Sequence, residues 1–324
     1  MNKTKKPTGR EIAFIEILKK AGQIVWQNKF LFWFGFLMTL GSPGSFNVGN
    51  NEGWNKKSDA IRSFAEIHWQ LVLAIGLALF IFGILLFLLS LVGKAGLVQS
   101  ISLIIQNRKT NFREGWKAGK KSLWNLFKLS LLFFFAIFII VLVLSIPVIF
   151  LAVRGSWISA ILVGLLAIAI FIPLAFILAL TNIFAEFYII LSSLKVWSAV
   201  EAGYNLLIQN IKNSFIFFLL MLAVNMIMIV GIIFLFIFII TLLILVPTGI
   251  IFYGLGKIIF GIFLGLAILL ALTILFFISS VFLAYKTTAW TLFFYEIASI
   301  KTSETEKVSE EKPEKEIAAA AEKA

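Results

Sequence analysis

Three charged residues stand at the ends of long apolar runs, and their chemistry needs explaining first. Lys94 closes a run that begins at Trp69, Glu186 one from Ile158, and Lys286 one from Ile258. Each run is about 25–28 residues, roughly 40 Å as a helix, close to the full thickness of a bilayer with its head groups. A carboxylate at that boundary, with Asn182 one turn before it, wants a partner, and Lys94 and Lys286 hold the matching places. The expectation is an ion pair between Glu186 and one of these lysines. A proton or ion relay is the alternative use of the same group. Asn225 lies inside a further apolar run, where an amide side chain bonds another helix or, alternatively, a substrate. Glu186, Lys94, Lys286, Asn182 and Asn225 are therefore the candidate intramembrane polar or charge-pair residues.

Little else in the chain could do chemistry. There are no cysteines, which excludes disulfides, thiolate metal sites and cysteine nucleophiles. The single histidine, His68, stands beside Trp69 and reads as an interfacial residue. The P-loop, the nucleophile elbow, the paired-histidine metalloprotease pattern and a paired-carboxylate site are all missing. Gly254-x-Gly256 does not complete a dinucleotide fingerprint. The expectation is a protein that is not an enzyme, with no catalytic residue, cofactor or metal site.

The elements that would position these residues are membrane spans. The chain has 324 residues, 61% of them hydrophobic, and a mean hydropathy of +1.03. Soluble domains average about 45–50% apolar residues. Apolar runs here exceed the ~18–20 residues that a spanning helix requires. Six spans are expected, at about 30–48, 69–92, 123–153, 158–191, 214–246 and 258–295. The first is the least regular, because Phe30–Leu40 alone covers only about half a hydrocarbon core. The uncharged stretch GSPGSFNV extends it. GSPGS has turn chemistry, and residues 58–69 can form a short helix leading into the second span. Residues 247–257 read as a turn. Pro173 can kink the fourth span.

The positive charge is unevenly spread. The net charge is +12, yet residues 301–324 carry five lysines against seven glutamates. Lysine and arginine crowd the N-terminal arm and the stretch from Lys94 to Lys121. The connections around Arg154 and Lys257 are nearly bare. This bias places both termini and the basic connections in the cytoplasm of a plasma-membrane protein, which six spans satisfy. Anionic lipid head groups are the expected partners, with protein partners possible and no nucleic acid. The N-terminus lacks a secretory signal pattern, since Glu11, Glu16, Lys19 and Lys20 interrupt the apolar region. The tail, 299–324, has no apolar face and is expected to be disordered.

A repeat organises the spans. Glu16 lies fourteen residues before Phe30, Glu114 thirteen before Phe127, and Glu201 fourteen before Phe215. Each glutamate opens an amphipathic stretch and each phenylalanine an apolar run. In the first stretch Phe14, Leu18, Ala21 and Val25 share a face that Lys19, Lys20 and Gln23 avoid. Asn111-x-x-Glu114, Ser198-x-x-Glu201 and Thr8-x-x-Glu11 read as helix-start signals. Most tryptophans should mark interfaces: Trp69 and Trp157 on one side, Trp26, Trp116, Trp124, Trp197 and Trp290 on the other. Gly261-x-x-x-Gly265 permits close helix approach. The expected fold is all-α: a polytopic membrane protein with six transmembrane helices as three hairpins, each preceded by an interfacial amphipathic helix.

This order of parts resembles the bacterial multi-pass superfamily that includes the membrane domain of glycerophosphoryl diester phosphodiesterases. Lys29-Phe30-Leu31-Phe32-Trp33-Phe34-Gly35-Phe36 followed by GSPGSF, Asn111-Phe-Arg-Glu-Gly-Trp-Lys and Ser198-Ala-Val-Glu-Ala-Gly-Tyr carry the resemblance, over about residues 10–298. It implies a six-span helical domain with interfacial helices. The family's phosphodiesterase activity resides in a separate soluble domain with His and acidic metal ligands, and this chain has none. The expected role is organising lipids or partner proteins. The alternative is a small-molecule or lipid transporter, which would need a cavity near mid-membrane lined by groups such as Asn225, Ser145 and Ser279.

Overall fold

The structure is a computed structural model that describes residues 12–41, 66, 68–251 and 257–321. Side chains are described within those ranges except at 240, 242–251, 257–261, 263, 264, 267 and 299–321. The Thr8–Glu11 signal, the GSPGS turn, most of the helix expected at 58–69 and the centre of the turn expected at 247–257 lie outside the described residues. All regular structure among the described residues is helical.

The helices are α1 (Phe14–Gln27), α2 (Leu31–Leu40), α3 (Trp69–Ile105), α4 (Phe112–Val153), α5 (Trp157–Ser192), α6 (Val196–Gln209), α7 (Ile211–Ile251) and α8 (Lys257–Ala321). Five of them, α3, α4, α5, α7 and α8, are long and apolar enough to cross a membrane. The chain is an all-α, multi-pass membrane protein. The sixth expected span is present as α2 alone. Its ten residues rise about 15 Å, and the residues expected to lengthen it lie outside the described set.

Local chemistry sets the helix boundaries. The Asn111 side chain accepts the backbone N–H of Glu114 at 3.0 Å and caps α4. Ser193 ends α5 in the left-handed region, with φ 52°, and Asn107 does the same after α3, with φ 56°. Asn28 and Asn210 each turn their side-chain amide back onto the carbonyl four residues earlier, Ile24 at 2.9 Å and Leu206 at 3.2 Å. These bonds satisfy end carbonyls of α1 and α6 and separate each short helix from the apolar helix that follows.

Four expectations are corrected here. The basic stretch after Asn111 is not a separate interfacial helix but the first three turns of α4, which is continuous for 42 residues. No asparagine cap or glycine interrupts it between Lys120 and Leu123. Ser198 does not cap α6, because Lys195 takes the extended cap conformation and Ser198 falls inside the first turn. Trp290 is packed in the core rather than projecting from a helix face. It is only 5% exposed and meets Phe217 edge to face at 4.9 Å between ring centroids. The charged tail, expected to lack stable structure, continues α8 as helix to Ala321. Its Glu, Lys and Ala residues are good helix formers.

The core occupies one half of the bundle. It gathers α1, α2 and α6, the stretches 91–101 of α3, 126–133 of α4 and 180–190 of α5, Phe217 of α7 and 284–297 of α8. Phe217 and Phe293 stack at its centre, 4.2 Å apart and nearly parallel. In the other half the helices carry exposed side chains, such as Phe80 and Phe82 on α3, Phe134 and Phe138 on α4, Leu165 and Leu166 on α5, and Phe234 on α7. Faces of that composition suit lipid, which solvates them as well as another helix does.

Candidate functional site

The three boundary charges all lie in the packed half. Glu186 sits on α5 between Ala185 and Phe187, both buried, and is itself 5% exposed. Its Oε2 pairs with Nζ of Lys94 on α3. Its Oε1 accepts a long hydrogen bond, 3.4 Å, from Asn182 Nδ2. The Lys94 side chain keeps 29% of its surface, so the pair is buried on the glutamate side and open on the lysine side. Lys286 on α8 lies within electrostatic reach of Lys94. Among the described residues it makes no ion pair with Glu186. The spacing allowed two partners for Glu186, and the structure takes Lys94. A buried pair of this kind contributes little net stability, but removing one partner leaves an uncompensated charge.

Each charge is held where a preceding or cyclically related segment docks. The N-terminal turns of α4 rest on α3 beside Lys94: a Cβ on Gly96 would lie 2.8 Å from the Gly115 carbonyl oxygen, and one on Gly119 would overlap that of Val92. Helix α6 rests on α5 beside Glu186: a Cβ on Gly203 would lie 2.9 Å from Ala185 N and 3.0 Å from Thr181 O. Helix α1 rests on α8 beside Lys286, with Gly22 facing the Tyr285 ring and Phe14 facing Phe293 at 6.3 Å. The second and third segments each dock on the long helix before them. Having none before it, α1 docks on the last, so the arrangement closes on itself.

Further polar contacts tie this end together. The Ser102 hydroxyl and the Tyr295 hydroxyl are 2.6 Å apart across α3 and α8. Ser280 Oγ donates to Thr39 Oγ1 at 3.4 Å, joining α8 to α2. Ser145 and Ser279 spend their hydroxyls on the carbonyls of Val141 and Leu275 within their own helices. Asn225 is partly buried on α7 and is not bonded to the Glu186 cluster by any contact among the described residues. The five candidate residues are thus not one site. Lys94, Glu186 and Asn182 are joined, Lys286 borders them, and Asn225 stands apart. Gly265 has open space where a Cβ would stand, so no close helix approach is seen there among the described residues.

Two surface features stand out, and only the first escaped the sequence. The first is a cleft of about 800 Å³ bounded by Gly22, Val25 and Trp26 of α1, Lys29, Phe32 of α2, Val224, Ile227 and Met228 of α7, and Phe277 to Tyr285 of α8. A smaller one, about 420 Å³, lies between α4 and α5 around Ser145 and Gly164. Both are lined almost wholly by apolar side chains. The second is a basic rim around the packed end. Lys19, Lys20, Lys29, Arg113, Lys117, Lys120, Lys121, Lys195 and Lys212 are exposed there. Trp26 of α1, Trp124 of α4 and Trp197 of α6 are exposed as well. Lys120 lies over the Trp116 ring at 5.5 Å and Lys128 over Trp124 at 5.6 Å.

The arrangement can hold negative charge at the rim and apolar chains in the clefts. Among the described residues no cluster of His, Cys, Asp or Glu could hold a metal ion. No protein-family model matches the chain, and neither curated proteins nor solved structures give a match.

Proposed function

We propose that the chain is a non-enzymatic protein of the plasma membrane that gathers anionic lipid at its basic end and presents that surface to partner proteins. In this reading the basic end, both termini and the short helices lie at the cytoplasmic face, and six spans carry the chain back and forth as three hairpins. The likeness in order of parts to the membrane domain of glycerophosphoryl diester phosphodiesterases concerns architecture and brings no activity.

The basic rim carries the reading. The exposed lysines and arginines of α1, α4 and α6 stand with exposed tryptophans at one end of the apolar helices. Tryptophan favours the head-group level, and each basic residue near an anionic surface contributes about 1 kcal/mol of attraction. Apolar clefts favour lipid over a polar solute, which is why the transporter reading ranks second. Reconstitution into nanodiscs with graded phosphatidylglycerol tests the proposal. The protein should retain phosphatidylglycerol over phosphatidylcholine, and a threefold neutralisation, Lys117→Gln with Lys120→Gln and Lys121→Gln, should reduce the preference. Equal retention of both lipids by the unaltered protein would refute it.

A further inference from the structure

The larger cleft is built unlike the rest of the lipid-facing surface. Its walls come from four elements: α1, the start of α2, α7 and α8. From Tyr285 to Phe277 it follows α8 for eight residues, about 12 Å of membrane depth. Gly22 leaves room at its upper wall, where the Tyr285 ring is the near neighbour at 3.9 Å from a Cβ position. The depth is lined by Phe277, Ile278, Val281 and Phe282, faced by Ile227 and Met228. Lys29 is the one charged residue of its lining and is exposed, and Trp26, three residues earlier, is 73% exposed.

That polarity matches one chemistry. An acyl chain fits the apolar depth, and a phosphate fits the lysine at the mouth. Lipid tails are as apolar as the cleft wall, so burial alone gives no preference for the cleft over bulk lipid. Selectivity must come from shape and from the charge at the mouth. Lys29 has no acidic neighbour among the residues that line the cleft, and a single cation there prefers an anionic head group to a zwitterionic one.

We propose that this cleft is a defined binding site for one anionic glycerophospholipid, its acyl chain along α8 between Phe277 and Tyr285 and its phosphate at Lys29. The site rests on the lipid-gathering function above and adds a single place, stoichiometry and head-group class to it. Helix α1 forms one wall, so the bound lipid fastens α1 to α8 where the ring of docked segments closes.

Native mass spectrometry of the full chain, delipidated in detergent and titrated with phosphatidylglycerol or phosphatidylcholine, reads this directly. One phosphatidylglycerol should remain bound at collision energies that strip the others. Val281→Trp fills the cleft and should abolish that retained lipid. Lys29→Ala should lower its affinity about fivefold, the effect of one cation near an anionic surface, and Lys29→Arg should restore it. If Val281→Trp does not fold, the lysine series still decides the head-group claim. Retention unchanged in Val281→Trp and Lys29→Ala overturns the site, as does a cleft found filled by a second copy of the chain in a detergent-stable dimer. Those results would leave the rim function standing, because its own test is the threefold neutralisation on α4. Loss of all phosphatidylglycerol preference in the unaltered protein would instead remove the function itself.

Discussion

Glu186 on α5 and Lys94 on α3 meet across the bundle, one residue from where α6 docks on α5 and two from where α4 docks on α3. Lys286 holds the corresponding place on α8, one residue from where Gly22 faces Tyr285. The polar centre and the docking of the basic segments are therefore one construction. A change in the ion pair should be felt at the rim.

Removing one member of the pair should be worse than removing both. Glu186→Gln leaves Lys94 without its counter-charge, and should cost roughly 3–5 kcal/mol of stability. The double variant Lys94→Met/Glu186→Leu keeps the volume and removes both charges, so it should lie closer to the parent protein than Glu186→Gln does. Thermal unfolding in detergent, followed by tryptophan fluorescence, checks this. Additive losses in the double variant would mean that the two residues are not coupled.

The docking contacts predict an equally specific pattern for glycine. Gly119→Leu and Gly203→Leu push a side chain into the backbone of α3 or α5, and overpacking of this kind costs about 1–3 kcal/mol. Gly231→Ala is the control, since nothing lies within 4 Å of a Cβ there. The first two variants should lose melting temperature and gain proteolytic sensitivity at the basic end. The third should behave as the parent does.

Topology can be read from single cysteines, because the chain has none of its own. In intact cells a membrane-impermeant maleimide should label Ser156→Cys and Asn50→Cys from outside. It should reach Lys109→Cys only after the membrane is opened. Labelling of Thr4→Cys together with Asn50→Cys from outside would mean that the stretch from Phe30 does not cross, and that five spans are present.

Much of the bundle could be read from composition. The apolar run expected at 158–191 matches α5, Trp157–Ser192, because its ends carry a tryptophan and two serines that lipid does not retain. The cap at Asn111 was legible because it acts within one turn. Other features depended on signals weaker than the residue type suggested. Asn28 and Asn210 mark the breaks after the short helices α1 and α6, whereas Asn125, at the comparable place in α4, lies inside a continuous helix. Ser198-x-x-Glu201 has the letters of a cap but lies inside a helix already begun at Val196. Trp290 carries no mark that separates a core tryptophan from an interfacial one. The docking of α1 on α8 joins residues more than 250 positions apart, and the lipid cleft needs four elements at once. No local spacing encodes either.

The central claim is that the basic end gathers anionic lipid, and the lipid shell taken directly from the membrane tests it. Extraction with a membrane-solubilising polymer, without detergent, followed by lipid mass spectrometry, compares the shell with the bulk membrane. The account predicts anionic phospholipid enriched in the shell, and an enrichment reduced when Lys117, Lys120 and Lys121 are replaced by glutamine. A shell with the composition of the bulk membrane, unchanged by those replacements, would contradict it.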